Sequence, residues 1–224
     1  MNVLIACEES QVECIAFRSV GCRAFSCDIQ KCRPKGHPEW HIHSDVTPFL
    51  HGETSFYTQD GKWHSLKKWD LIVAHPPCTY LCKVGSPWLF KKPNFTVYFR
   101  NELKIINQER YENLVKARAF FFECLGAAAP FVAVENPLPM ALANLPKPSC
   151  FVQPYWYGHK YSKKTLYWLK NLPPLMPQMI NPEFKDFVRA SRGKYRSRTF
   201  PGIAKAMAEQ WTEYIKLNIK QKTK

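Results

Sequence analysis

Two short stretches carry side chains suited to covalent chemistry. The first is His75-Pro76-Pro77-Cys78, which follows the apolar run Trp69 to Ala74 (WDLIVA). An ionised thiol is a strong nucleophile, and two prolines ahead of it fix the backbone and withdraw hydrogen-bond donors. Cys78 is therefore expected on a stiff turn at the rim of a sheet, where positive neighbours or a helix N-terminus would lower its pKa. The second is Glu135-Asn136-Pro137, directly after the apolar run Phe131 to Val134. A carboxyl at a strand end is partly desolvated, which raises its pKa and lets it carry a proton near neutrality. Each stretch has a plainer reading: a structural thiol, and a capping or salt-bridged glutamate. At the ends of two strands of one parallel sheet, the pair would face a single cleft as nucleophile and acid.

Two aspartates are placed for a nucleoside. Asp28 ends the run Ala24 to Cys27, where a carboxylate accepts from ribose hydroxyls in nucleotide-binding α/β folds. Asp45 follows a loop and could accept from an adenine amino group. Both are equally compatible with turn or capping roles. The first loop, Cys7-Glu8-Glu9-Ser10-Gln11, contains no glycine and two glutamates, which would repel a pyrophosphate. A cofactor with an amino group and no phosphate fits better. Cys27, Cys32, His37 and His41, with Cys22 and His43 nearby, have loosely zinc-like spacings but no C-x-x-C pair, so no metal is assigned.

The elements that must position these groups alternate between strand and helix. Asn2 to Ala6 predicts a buried strand. Ser10 is the expected cap of a helix from Gln11 to Val20, with Val12, Ile15, Ala16 and Val20 on its face and Gly21 ending it. Further strands are expected at Ala24 to Cys27, Trp69 to Ala74, Phe131 to Val134, Tyr155 to Tyr157 and Thr165 to Leu169. Gln108 to Leu125 predicts a helix whose face is set by Tyr111, Leu114, Val115, Arg118 and Phe122. A last helix spans Gly202 to roughly Leu217, with Ile203, Met207, Trp211 and Tyr214 on one face. The fold class is thus α/β, a mainly parallel twisted sheet flanked by helices, in one domain over 1–224 with a frayed tail at 219–224.

The formal net charge is +14, which favours a polyanionic partner because each neutralised phosphate releases counterions. Apolar residues make up 46% of the chain, enough for a full core, and no run approaches the ~20 residues of a membrane span. The N-terminus lacks the basic start and cleavage site of a signal peptide, so the nine scattered cysteines are expected as reduced cytoplasmic thiols.

In the order of these elements the chain resembles the cytosine carbon-5 DNA methyltransferases, and most closely the small methyltransferase-like proteins of phages and prophages that act in the host cytoplasm. In that family Pro-Pro-Cys bears the nucleophile and Glu-Asn-Val the glutamate on ring nitrogen-3; here these read Pro76-Pro77-Cys78 and Glu135-Asn136-Pro137. Lys163-Lys164-Thr165-Leu166-Tyr167 is similar to the family's Gln-x-Arg-x-Arg segment, which implies catalytic roles for Lys163 and Thr165 beside Cys78 and Glu135. Arg198 to Ala208 resembles the closing motif against the cofactor. The resemblance implies a Rossmann-like fold and S-adenosylmethionine as cofactor, held by Ala6, Cys7, Glu8, Ser10, Asp28, Ile29, Asp45, Val46, His75, Pro76 and Ile203. It implies DNA as substrate, with a free deoxycytidine nucleotide as the alternative; Lys83, Lys185, Arg189, Arg192, Lys194, Arg196 and Arg198 are basic enough to grip phosphates, the plainer reading of 171–197 being a solvated basic loop. The Gly-rich first loop is replaced here, and only the short basic insert 171–197 stands where the family has a target recognition domain. Thr79 to Arg100 is expected as a loop that closes over the base. Amino-group methyltransferases also use a Pro-Pro motif, but His75 and Cys78 stand where they need an Asp, Asn or Ser and an aromatic residue. A basic DNA-binding protein on a degenerate fold of the same kind is the non-enzymatic alternative.

Overall fold

In the computed structural model, residues 1–183 and 198–222 are described. The basic positions Lys185, Arg189, Arg192, Lys194 and Arg196 lie outside these residues.

Among the described residues there are eleven strands: β1 (Asn2–Ala6), β2 (Arg23–Asp28), β3 (His41–His43), β4 (Ser55–Tyr57), β5 (Trp63–Ser65), β6 (Leu71–Ala74), β7 (Phe95–Phe99), β8 (Glu102–Ile106), β9 (Phe131–Asn136), β10 (Cys150–Val152) and β11 (Thr165–Lys170). The α-helices are α1 (Val12–Ser19), α2 (Thr47–Leu50), α3 (Gln108–Leu125) and α4 (Pro201–Lys222). Seven strands form one sheet in the order β10-β11-β9-β6-β1-β2-β3. From β9 to β3 neighbouring strands run parallel, whereas β11 is antiparallel to both β9 and β10. This is the expected α/β Rossmann-like arrangement, with one reversed strand, β11, next to an edge.

The central strands are apolar throughout because both faces are covered. Val3, Leu71, Val73 and Ala133 pack under α1 and α4, with Trp211 and Phe17 fully buried among them. Leu4, Ile72, Val132 and Val134 face α2, α3 and the aromatic group Phe25, Phe56 and Trp69. Helix α4 begins in close contact with the chain before β11. A Cβ on Gly202 would lie 2.2 Å from the Tyr157 carbonyl oxygen, so only glycine lets Gly202 N–H reach His159 Nε2 at 2.9 Å.

Several local expectations are corrected. Ser10 does not cap α1; Gln11 holds that position in left-handed backbone (φ 60°), and Ser10 Oγ donates to Glu8 instead. The buried face of α1 is Glu13, Cys14 and Phe17, because Glu13 is drawn inward by an ion pair, while Ile15 is exposed. In α3 the buried residues are Leu114, Phe121 and Cys124; Val115 and Phe122 face outward. Tyr155 to Tyr157 is no strand: Pro154 opens a 3-10 turn over Pro154–Trp156. The segment expected as a closing loop is folded into a 3-10 stretch, Lys83–Phe90, and the hairpin β7–β8.

Candidate active site

The parallel register pairs Ala74 of β6 with Val134 of β9, so the next residues on the two strands are His75 and Glu135. Each chain then turns away through proline. Asn136, fully buried, donates from Nδ2 to the Pro76 carbonyl at 3.2 Å and ties the two turns together. Beyond them the segments run antiparallel: Lys83 N donates to Leu138 O and Met140 N to Leu81 O, both at 2.8 Å. Cys78 and Glu135 thus stand at the carboxyl ends of neighbouring strands, and the Glu135 charge acts on Cys78. The Cys78 residue is half-buried, and the Glu135 side chain retains 17% exposure.

The thiol differs from expectation. Cys78 and Cys82 lie one turn apart, with Cys82 N donating to Cys78 O at 2.9 Å. Cys78 donates its thiol hydrogen bond to Cys82, which lowers Cys82 to about 6. That bond, together with burial and the charges of Cys82 and Glu135, pushes Cys78 well above the usual thiol range. None of the main influences on Cys78 is a positive charge, and Cys82 is the more acidic of the two. Sequence reasoning passed over Cys82, although its four-residue spacing after a proline-stiffened start marked one turn of helix-like chain.

The Glu135 carboxyl is also corrected. Burial alone would raise it, but a hydrogen bond from His75, the His75 charge and Lys163 outweigh that and hold it below the ordinary carboxyl range. His75 bridges two carboxylates, with Nδ1 3.2 Å from Glu135 Oε2 and Nε2 2.9 Å from Glu13 Oε2. Burial opposes an imidazolium, yet Glu13 and Glu135 prevail and raise His75 well above 6.5. Glu13 is fully buried and accepts from Thr199 Oγ1 at 2.6 Å. A charged glutamate inside an amphipathic helix pattern was the sequence signal for this relay, and it went unread. Lys163, Thr165, Arg198, Thr199 and Ile203 join Glu135 around a narrow cleft.

The ends of β1, β2 and β3 test the implied cofactor. Asp28 closes β2 half-buried, which pushes its carboxyl up; its Oδ1 accepts from Gln30 N at 2.8 Å. Beside it Ile29 is 75% exposed. Asp45 Oδ1 accepts from Thr47 N and Oγ1, and Val46 is buried behind it. Ala6 is buried, and its carbonyl accepts from His75 N at 3.0 Å. Cys7 adopts φ 60° without being glycine. Glu8 fills the first turn of α1 from inside: Oε1 accepts from Glu13 N at 2.8 Å and Oε2 from Cys14 N at 3.3 Å. Glu9 is clamped by Arg33 at 2.6 and 2.9 Å. The backbone donors that cradle a phosphate in other sheets of this kind are therefore occupied. A pyrophosphate does not fit this loop.

The metal-like residues are engaged elsewhere. His41 Nδ1 pairs with Ser26 Oγ and Nε2 with Gln30 O, His37 stacks on Trp40, and Cys27 is buried in β2. Among the described residues no three His, Cys, Asp or Glu side chains gather in metal-binding geometry.

No protein-family model matches the chain, and no curated protein matches it. One solved structure that it is similar to is provisionally assigned as a DNA modification methyltransferase encoded within a prophage of E. coli. Identity is 14% with a TM-score of 0.45, over 81% of this chain and 52% of that one. The chain spans about half the length of that structure. Among the described residues no helix is long and apolar enough to cross a membrane.

Proposed function

We propose that this protein is an S-adenosylmethionine-dependent methyltransferase that acts on carbon-5 of cytosine in DNA through a covalent Cys78 adduct. The observation that carries this reading is the strap between the two strand ends: Asn136 on Pro76, with Cys78 and Glu135 within each other's electrostatic reach. Asp28, Ile29 and Asp45 would hold the adenosine, and Ile203 at the start of α4 borders the cleft beside Glu135. When bound, the cofactor supplies an electrophilic methyl group on a sulfonium.

The chain's own groups do the rest. Cys78 Sγ forms a bond to ring carbon-6 as its proton passes to Cys82. Ring nitrogen-3 receives a proton through Glu135, which the His75 imidazolium replenishes from 3.2 Å away. The electron pair displaced from the carbon-5/carbon-6 double bond makes carbon-5 an enamine nucleophile, and carbon-5 acquires the methyl group. Loss of the carbon-5 proton to solvent then re-forms the carbon-5/carbon-6 double bond and expels the sulfur, which recovers its proton from Cys82, while ring nitrogen-3 returns its proton to Glu135. Target cytosine must leave a duplex for this, at a cost of a few kcal/mol, or arrive single-stranded.

The test is methyl transfer from labelled cofactor into DNA by the wild type, Cys78→Ser and Glu135→Gln. Cys78→Ser is expected to abolish turnover, and Glu135→Gln to slow it by about 10²–10⁴-fold. DNA carrying 5-fluorocytosine should become attached only to proteins with Cys78. Label recovered on adenine would end this reading. One observation favours a second reading, a DNA-binding protein without transferase activity: the Glu8 side chain fills the loop that is glycine-rich in the family. Calorimetry with the cofactor separates the two.

A further inference from the structure

Beside Cys78 the chain forms a groove that the chemistry above does not use. Its floor is the pair of antiparallel segments that leave the two strand ends, with Leu138 and Met140 on one and Lys83 on the other. Its far wall is the inner face of the β7–β8 hairpin, where Phe99 and Glu102 pair across the strands and Lys104 faces inward beside them. Phe90 closes one side. The cavity holds about 680 Å³, room for more than one nucleotide, and opens to solvent.

Three features bear on its occupant. Phe90 and Leu138 are about half exposed on the wall of a concavity, the arrangement expected of a contact surface. The rim is basic: Lys83, Arg100 and Lys104 face a single acid, Glu102, which Lys104 neutralises. Just outside, the Lys91 ammonium sits 4.6 Å over the Trp88 ring, next to Lys92. Aromatic rings interleaved with cations suit unstacked bases joined by phosphates, since every base offers a π-face and every linkage a charge.

We infer that this groove binds the single-stranded DNA flanking the target cytosine, so that the hairpin insertion holds the substrate strand. The inference rests on the proposed function for the identity of the polyanion and adds its form: an unpaired strand rather than a duplex or a free nucleotide. Phe90 stacks on a base and Lys83 and Arg100 meet phosphates; because Lys83 follows Cys82, which bonds back to Cys78, the strand leaves the groove toward the thiol.

The experiment uses a fluorescent twelve-residue oligothymidine, which contains no cytosine and so reports binding apart from methyl transfer. Fluorescence anisotropy is measured against the full chain, Phe90→Ala, Arg100→Ala and Lys83→Ala, with circular dichroism melting to verify that each variant is folded. Wild type is expected to bind the oligomer more tightly than the matching duplex. Phe90→Ala should weaken binding about ten-fold. Each charge variant should lower the slope of log affinity against log salt by roughly 0.7. Folded variants that bind like wild type, or a wild type that takes duplex or deoxycytidine monophosphate in preference, would overturn the groove assignment. If the oligomer binds as expected but no methyl is transferred to cytosine-containing DNA, the groove stands and the catalytic reading falls.

Discussion

Cys78 and Cys82 lie one turn apart, and the hydrogen bond between their thiols holds Cys78 high and Cys82 low. A resting Cys78 is therefore quiet toward general electrophiles and becomes nucleophilic only as its proton moves to Cys82. Iodoacetamide at neutral pH should accordingly modify Cys82 before Cys78, as read by mass spectrometry of the peptides. In Cys82→Ala the hydrogen bond and the neighbouring charge are lost, the Cys78 pKa falls, and its alkylation at pH 8 should rise about ten-fold or more. Unchanged Cys78 labelling in that variant would refute the role of Cys82. The positions of Cys78 and Glu135 could be read from Pro-Pro-Cys and Glu-Asn-Pro, but their protonation could not. The partner that reverses the expected direction for Glu135 is His75, sixty residues earlier, and only the register of two strands brings it near.

At the scale of elements, one buried amide ties the proline turns together. Asn136→Ala removes the donor to Pro76, at a cost of about 1–3 kcal/mol. It also loosens the Cys78 turn relative to the Glu135 turn. Its kcat should fall well beyond what the lost stability explains, while cofactor affinity measured by calorimetry stays near wild type; an unaltered kcat would show that the strap does not position the pair. Elements with strong local signals were legible: α3 runs over the residues that its periodicity predicts, and β1, β6 and β9 are the continuous apolar runs of buried parallel strands. The hairpin was not legible, because its two-residue turn is Arg100-Asn101, both left-handed, rather than the Asn-Gly that announces such turns. The alternation in FTVYF and ELKII on either side was the signal that remained. Tyr155 to Tyr157 misled in the opposite way, since aromatic residues favour strands until a proline starts a turn.

For the whole molecule, stability should depend on pH with a definite sign. Burial and the Glu13 charge raise the Glu8 carboxyl from 4.5 to about 8. The folded chain thus keeps a proton that the unfolded chain releases above about 4.5. That contribution is complete below 4.5 and is lost as pH climbs toward 8. His75, raised above 6.5, adds stability that is complete below 6.5 and is lost as pH rises through its folded value. Glu135, held low, acts in reverse and loses its contribution on acidification through its folded pKa. Thermal melting should therefore occur at a higher temperature at pH 5.5 than at pH 8.5, and Glu8→Gln should flatten that slope. A melting temperature that climbs steadily across the interval would contradict these assignments.

Helices that open toward a ligand usually leave their leading amides waiting for it, and they firm up when it arrives. Here the Glu8 side chain already sits on those amides. Two leading amides of α1 are thus occupied before anything binds, and the chain has built into itself the guest that such a turn would otherwise have to recruit.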